Sequence, residues 1–226
     1  MNVLRCSLTI SSLFFLSACS ISDPFSNIEM TDYSTGENVA NTTSFYWYTE
    51  RQARAYRGSD YVIAASGEIY QTSYRWEEGH LRELIRSGQL NQKQNLVPFS
   101  LTLRFNEDGD PVYQDYRVDN QVIPLKLRQM KAYGEQAAQV AQHTKQRSQD
   151  GYALYQGVWD GKRFNACDGN IYRDLTFTQV LPSFLSQQLS QAPHYVAVAG
   201  SIDGKDIIAT NLLLIADSDH KCINTN

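Results

Sequence analysis

The chain has 226 residues, with 20 Lys and Arg against 24 Asp and Glu, and a formal net charge of −4. It has no basic excess and no basic stripe, so nothing marks it as a nucleic-acid binder. Aromatic residues make up 12% of it, including 14 Tyr, which is too many for a chain disordered throughout.

Residues 1–18 read as a secretory signal. Arg5 is their only charge, and Leu8, Ile10, Leu13, Phe14, Phe15 and Leu16 form a short apolar run. That run is shorter than the roughly 20 residues needed to span a bilayer. Small residues, Ser17 and Ala18, precede Cys19. Leu16-Ser17-Ala18-Cys19 resembles the lipobox of bacterial lipoproteins. The resemblance implies cleavage before Cys19, acylation of its thiol and acylation of the new amine. Two or more acyl chains hold a protein stably on a membrane. Ser20, rather than Asp, follows the cysteine, which by the sorting pattern of such lipoproteins implies the outer membrane, on its periplasmic face.

Cys6 leaves with the signal and Cys19 carries lipid. Cys167 and Cys222 remain, in an oxidising compartment. The simplest expectation is one disulfide between them, contributing roughly 4 kcal/mol through loop closure. The competing reading makes Cys167 a catalytic thiol.

Residues 19–43 are rich in Ser, Asn, Thr and Asp, and read as a flexible tether after the lipidated cysteine. Phe45-Tyr46-Trp47-Tyr48 begins the ordered part, with the aromatic density of a strand. Residues 50–60 are polar and read as a helical turn or a loop. Tyr61–Ser66 and Ile69–Trp76 read as two strands, or one bent at Gly67. In the second, Tyr70, Thr72, Tyr74 and Trp76 share a face. Glu77-Glu78-Gly79 is a turn, and Leu81–Ile85 returns. Phe99, Leu101, Leu103 and Phe105 alternate cleanly. Asn106–Asp110 is a hairpin loop, and Val112–Val118 pairs back. An antiparallel meander with one wet face is expected.

Leu125 to about Gln149 reads as a long helix. Its stripe, Leu127, Met130, Gly134, Ala137 and Ala141, is narrow and has small residues at its centre, suited to packing on the meander. Asp150-Gly151 ends it. A smaller unit follows over 151–226: a strand at Tyr152–Trp159, a short helix at Leu181–Leu189 with Pro182 at its first position, and a hairpin of Tyr195–Gly200 with Ile207–Ile215. Four consecutive apolar residues in the last strand predict that it is central and buried. The fold class expected is therefore α+β: an antiparallel meander with a packed long helix over 44–150, then a small disulfide-closed α/β unit.

The lipobox, the Phe-Tyr-Trp-Tyr start, the Asn-Glu-Asp-Gly-Asp hairpin, the Gln-rich helix and the Cys167…Cys222 unit together resemble the YjaH-like lipoproteins of gammaproteobacteria. That family is known only as a domain of unknown function. The resemblance implies no activity and brings no catalytic residues.

The chemical motifs are sparse. Asn106–Asp110 lacks the ligand spacing of a calcium loop, and a hairpin turn explains it. Asp217-Ser218-Asp219-His220 gathers metal-capable groups at a polar terminus, where solvation is the simpler account. His80, His143, His194 and His220 are scattered, and His143 is expected on the wet side of the helix. No H-E-x-x-H, Gly-x-Ser-x-Gly or P-loop is present. Ser66, Gly67 and Tyr70 form a Ser-Gly-x-x-Tyr segment similar to that of periplasmic inhibitors of C-type lysozyme, although the inhibitors' second motif, a Tyr followed by Lys-Gly, is missing. Tyr46, Trp47, Tyr48, Tyr70, Tyr74 and Trp76 suit either a β-core or an aromatic ligand surface.

The expectation is a non-enzymatic binding or structural module of the envelope. It needs no cofactor or metal, it touches the membrane through its lipid, and its partner is an envelope protein or a peptidoglycan-related ligand. The alternatives are a lysozyme-inhibitor-like protein, with Ser66, Gly67 and Tyr70 as partner-binding residues, and an envelope hydrolase. A buried titratable pair in a deep pocket would favour the hydrolase. Cys19→Ala should abolish fatty-acid labelling in cells and release or mis-sort the protein. Labelling that persists in this variant would remove the anchor.

Overall fold

The protein was analysed as a computed structural model, which describes residues 29–191 and 193–224. The expected signal segment, Cys19 and the part of the expected tether before residue 29 lie outside the described residues. Among those residues no helix is long and apolar enough to cross a membrane.

The first sheet is an eight-stranded antiparallel meander in which each strand pairs with its sequence neighbour. Its strands are β1 (Met30–Val39), β2 (Thr42–Arg51), β3 (Arg54–Ala64), β4 (Ile69–Glu77), β5 (His80–Gln92), β6 (Asn95–Phe105), β7 (Pro111–Val118) and β8 (Gln121–Val122). Turns are tight. Gln52-Ala53, Lys93-Gln94 and Asp119-Asn120 each carry positive φ at both positions, the turn geometry whose twist matches that of paired strands. Gly67, at φ +88°, closes the β3–β4 turn, so the segment around it is two strands and not one bent strand.

The polar N-terminal segment corrects the tether expected over 19–43. Residues 30–39 are strand β1, and β2 begins at Thr42. Sequence pattern concealed β1 because its inward positions are Tyr33, Thr35 and Glu37, paired with Tyr48, Tyr46 and Ser44. Polar residues 50–60 are likewise neither helix nor loop. They end β2, turn, and form the first half of β3.

Helix α1 (Leu127–Gln149) packs on one face of this sheet. The core between them holds Tyr74, Trp76, Leu84, Leu101, Leu103 and Phe105 from the strands, and Ala137 and Val140 from the helix. Strand alternation explains the sheet half of this list. The helical stripe differs from the expected one. Leu127 is 56% exposed at the first helical position, whereas Ala137, Val140 and Thr144 are buried. Gly134 allows close approach: a Cβ there would meet Phe105 at 3.5 Å.

The second sheet has the order β11-β10-β9-β13-β14-β12. It contains β9 (Ala153–Trp159), β10 (Phe164–Ala166), β11 (Ile171–Tyr172), β12 (Asp174–Phe177), β13 (His194–Asp203) and β14 (Asp206–Asp217), with α2 (Ser183–Gln191) preceding β13. β12 runs parallel to β14, and the other pairings are antiparallel. The more deeply buried strand is β13 rather than the apolar β14: Tyr195 to Gly200 are all buried. Val196 and Val198 join Trp159, Phe164 and Leu189 on one face. Tyr195, Ala197 and Ala199 join Phe45 and Leu213 on the other.

That second face rests on β1–β3. Phe45, Trp47, Tyr61 and Ile63 leave the first sheet on the side away from α1 and meet β13 and β14. A Cβ on Gly36 would overlap the Leu213 side chain and lie 3.0 Å from the Ser44 carbonyl, so any other residue there would push Leu213 of the second sheet aside. The layers therefore run α1, first sheet, second sheet, α2. Beyond β3 the outer face of the meander carries Ser73, Arg75, Ile85, Thr102 and Arg104, and is the wet face.

Cys167 and Cys222 form a disulfide across 55 positions, with Cα atoms 6.0 Å apart. It ties the segment after β14 to the turn between β10 and β11. Beside it, Gln156 on β9 accepts from the backbone N–H of Ile223 at 2.9 Å and donates to the Ile223 carbonyl at 2.8 Å. Replacing both cysteines by serine should cost about 2–4 kcal/mol in chemical denaturation. Intact-mass analysis should find neither thiol alkylated before reduction. Alkylation of both without reductant would contradict the pairing.

Candidate functional site

The inward face of β3–β5 contains charge where apolar residues would be expected. Asp60 on β3, Thr72 and Tyr74 on β4 and Arg86 on β5 lie side by side, because Asp60 pairs with Thr72 and Thr72 with Arg86 across the ladders. Asp60 is fully buried. Thr72 donates to one carboxylate oxygen at 2.7 Å and Tyr74 to the other at 2.5 Å. Arg86 donates through Nε to the Thr72 hydroxyl at 2.7 Å, and its Nη2 lies 3.8 Å from Asp60. The same guanidinium reaches α1, where Nη2 donates to Gln136 at 3.0 Å. It also lies against the rings of Tyr70 and Tyr133, at 4.4 and 5.1 Å.

Burial pushes the Asp60 carboxyl up from its ordinary value; Arg86 and the two hydroxyl donors oppose this without cancelling it. Burial also pulls the Arg86 guanidinium down, but Asp60 and the surrounding tyrosines outweigh it and leave it raised. Burial, reinforced by Asp60, drives the Tyr74 hydroxyl well above the normal tyrosine range. Tyr74 is therefore a fixed donor at any physiological pH.

A cavity of about 290 Å³ opens between this network and α1. Asp60 and Tyr70 border it from the sheet, Glu37 and Tyr46 from β1 and β2, and Gln136, Gln139 and His143 from the helix. Tyr46 donates to Glu37 at 3.1 Å. The His143 ring stands edge-on to Tyr46, with centroids 5.6 Å apart. Its Nε2 is shielded from solvent, lies 3.4 Å from Glu37 and makes no hydrogen bond. His143 thus faces the sheet and not the wet side of the helix as expected. Ser44 also borders the cavity, but Nε2, turned toward Glu37, does not bond its hydroxyl.

A second polar clamp holds the far end of α1. Lys145 donates to Glu50 at 2.7 Å, and Tyr48 and Tyr33 donate to the same carboxylate at 3.2 Å. Burial acts to raise the Glu50 pKa, but the bond and charge of Lys145 and the two tyrosine bonds outweigh it and leave it lowered.

A profile of the family described as "Protein of unknown function (DUF1481)" matches residues 34–225. The chain belongs to the DUF1481 family. No curated protein and no solved structure matches it.

In this DUF1481 chain the residues singled out in the sequence are dispersed. Ser66 is exposed at the β3–β4 turn, where it donates to Glu68 at 3.2 Å, and Gly67 supplies the positive φ. Tyr70 is not part of that turn surface: it lies on β4, half-buried under Arg86 and edge-on to Phe99. Asn106–Asp110 is a hairpin turn in which the Asn106 side chain accepts from the Asp110 N–H at 2.8 Å. At the C-terminal segment, the His220 ring lies 4.5 Å from that of Tyr195. Of the six aromatic residues weighed as core or surface, Tyr48, Tyr74 and Trp76 are buried beneath α1, and Trp47 packs toward the second sheet. Tyr46 and Tyr70 line the cavity.

Asp60, Arg86, Glu37 and Gln136 carry no motif. The available signal was alternation: Asp60 with Val62, and Arg86 with Leu84, each two positions from a buried apolar residue on the same face. Arg86→Met should cost about 3–5 kcal/mol, the penalty for stranding a buried charge. The double variant Asp60→Asn, Arg86→Met should cost clearly less than the sum of the singles in urea denaturation. Additive losses would show that the two groups do not act as a pair.

Proposed function

We propose that this chain is a non-enzymatic binding module of the cell envelope, a YjaH-like lipoprotein held on the periplasmic face of the outer membrane by acyl chains on Cys19. Its ligand site is the cleft between α1 and the first sheet. One observation carries this reading: the cleft sets the Nε2 of His143, which has Glu37 beside it at 3.4 Å but makes no hydrogen bond, opposite a charged floor already complete in itself. A ring nitrogen without a hydrogen bond at the border of a polar cavity is suited to one from outside.

The lining suits a ligand rich in hydroxyl and amide groups. Tyr46 and Tyr70 offer ring faces, and Gln139 and Glu37 offer donors and acceptors. About 290 Å³ accepts one sugar or a short peptide branch. A peptidoglycan fragment has this chemistry and this size. The cleft gives little support to hydrolysis. Both oxygens of Asp60 are occupied by Thr72 and Tyr74, so it is not a free base. Glu37 sits at the nitrogen of His143 through which the histidine would have to reach a serine.

Purified sacculi and soluble muropeptides test the reading. The wild-type chain should be retained, and His143→Ala should weaken retention roughly tenfold, the upper end of what one hydrogen bond contributes, without loss of thermal stability. Unchanged retention in the variant would move the ligand elsewhere. A mass change in the muropeptide on incubation would make the protein an enzyme.

A further inference from the structure

One end of the meander concentrates arginine. The β2–β3 and β4–β5 turns meet there, and a surface depression of about 800 Å³ is lined by Arg51, Arg54, Arg57, Arg75, Arg82 and His80. Glu77, Glu78 and Glu107 share it. Glu77 is engaged by Arg75 and Arg82, and Glu107 lies 4.0 Å from Arg82. Arg51, Arg54 and Arg57 are exposed, and among the described residues none has a carboxylate partner. The Tyr56 ring lies between two of them, 4.9 Å from both the Arg51 and Arg57 guanidinium groups. Arg57 donates to its hydroxyl at 3.2 Å. The hairpin thus holds three unneutralised guanidinium groups together, two of them on one ring. Such forks fit phosphate oxygens.

The chain enters the fold at this same end. Met30 pairs with Arg51, and the Gln52 N–H donates to the Glu29 carbonyl at 2.9 Å. Cys19 is ten positions before Glu29, a reach of at most about 35 Å. A lipid on Cys19 therefore keeps the arginine hairpin within that distance of the headgroups. The opposite end of β2, at Asn41, lies a full strand length from this end, about 30 Å.

We infer that the β2–β3 hairpin is a membrane-contact surface, docking Arg51, Arg54 and Arg57 on the anionic phospholipid headgroups of the leaflet that holds the lipid. The inference rests on the anchor at Cys19. The net charge of −4 gives the whole protein no long-range attraction to an anionic surface. The tether supplies the local concentration and the hairpin sets the orientation. The molecule then stands on the membrane by its arginine end.

The test uses the mature chain carrying hexahistidine in place of acylated Cys19, held on vesicles through nickel-chelating lipid. Its result does not depend on whether Cys19 is acylated, which fatty-acid labelling in cells decides separately. A fluorophore at Gln52→Cys is quenched by headgroup-labelled lipid, with Asn41→Cys as the distant control. Quenching at position 52 should be several-fold stronger on vesicles with 30% phosphatidylglycerol than on phosphatidylcholine. It should fall to the neutral-vesicle level in Arg51→Gln, Arg54→Gln, Arg57→Gln and in 0.5 M salt, with position 41 unaffected throughout. Equal quenching on both lipids, quenching that survives the triple substitution, or equal quenching at positions 41 and 52 would overturn the inference. So would micromolar binding of inorganic phosphate without vesicles, which would make the hairpin a soluble-phosphate site.

Discussion

The inner stretches of β1, β2 and β3 are covered on both faces, and that constraint orders the rest of the molecule. On one side lies α1, on the other β13 and β14 of the second sheet. A strand buried twice has no wet face on which to place polar residues, yet these strands carry Thr35, Ser44, Glu50, Ser59 and Asp60 as buried positions. A buried polar group without a partner costs more than its hydrogen bond gains. For the two carboxylates the partners come from the covering layers and neighbouring strands: Lys145 of α1 for Glu50, and Thr72, Tyr74 and Arg86 for Asp60, while the Thr35 hydroxyl is left without one. On the other side, Gly36 removes the side chain that would hold the sheets apart. The helix is thus fixed by two charged points as well as by its apolar stripe.

Apolar residues of matched volume at Asp60 and Arg86 would often give an equal or more stable protein. What the charged pair adds is register. Arg86 reaches Gln136 only when α1 sits at one height along the sheet, and Lys145 reaches Glu50 only at that same height. The cavity exists because the helix is held there, with His143 and Gln139 above a floor that is chemically closed.

Much of this fold was legible in the sequence where alternation was apolar. Phe99 to Phe105, the Tyr70–Trp76 face, the hairpin at Asn106–Asp110 and the long helix each follow from spacing alone. The disulfide follows from a cysteine count once a lipobox is read. What was not legible has a common cause. β1 and the first half of β3 are strands whose inward residues are polar, so a pattern that equates inward with apolar reads them as linker. The site went unseen for the same reason: Glu37 lay in the supposed tether and Asp60 in the supposed loop. The error in the helical stripe is different. Leu127 belongs to the spacing but stands exposed at the first helical position, and only the packing of helix on sheet reveals that. β13 exceeds β14 in burial through topology, since it lies between β9 and β14 while β14 borders the short β12.

The local connectivity of the first sheet has a consequence for the order in which the molecule assembles. Every pairing in β1–β8 joins neighbours in the chain, so the meander forms as soon as its residues emerge. The surface of Phe45, Trp47, Tyr61 and Ile63 is then complete but bare, because the strands that cover it are nearly the last to arrive. The cysteine that closes the second unit arrives later still. During synthesis from the N-terminus the chain passes through a state in which this aromatic surface is exposed. A chain emerging from the N-terminal side can rely only on escort or speed to carry it through that interval.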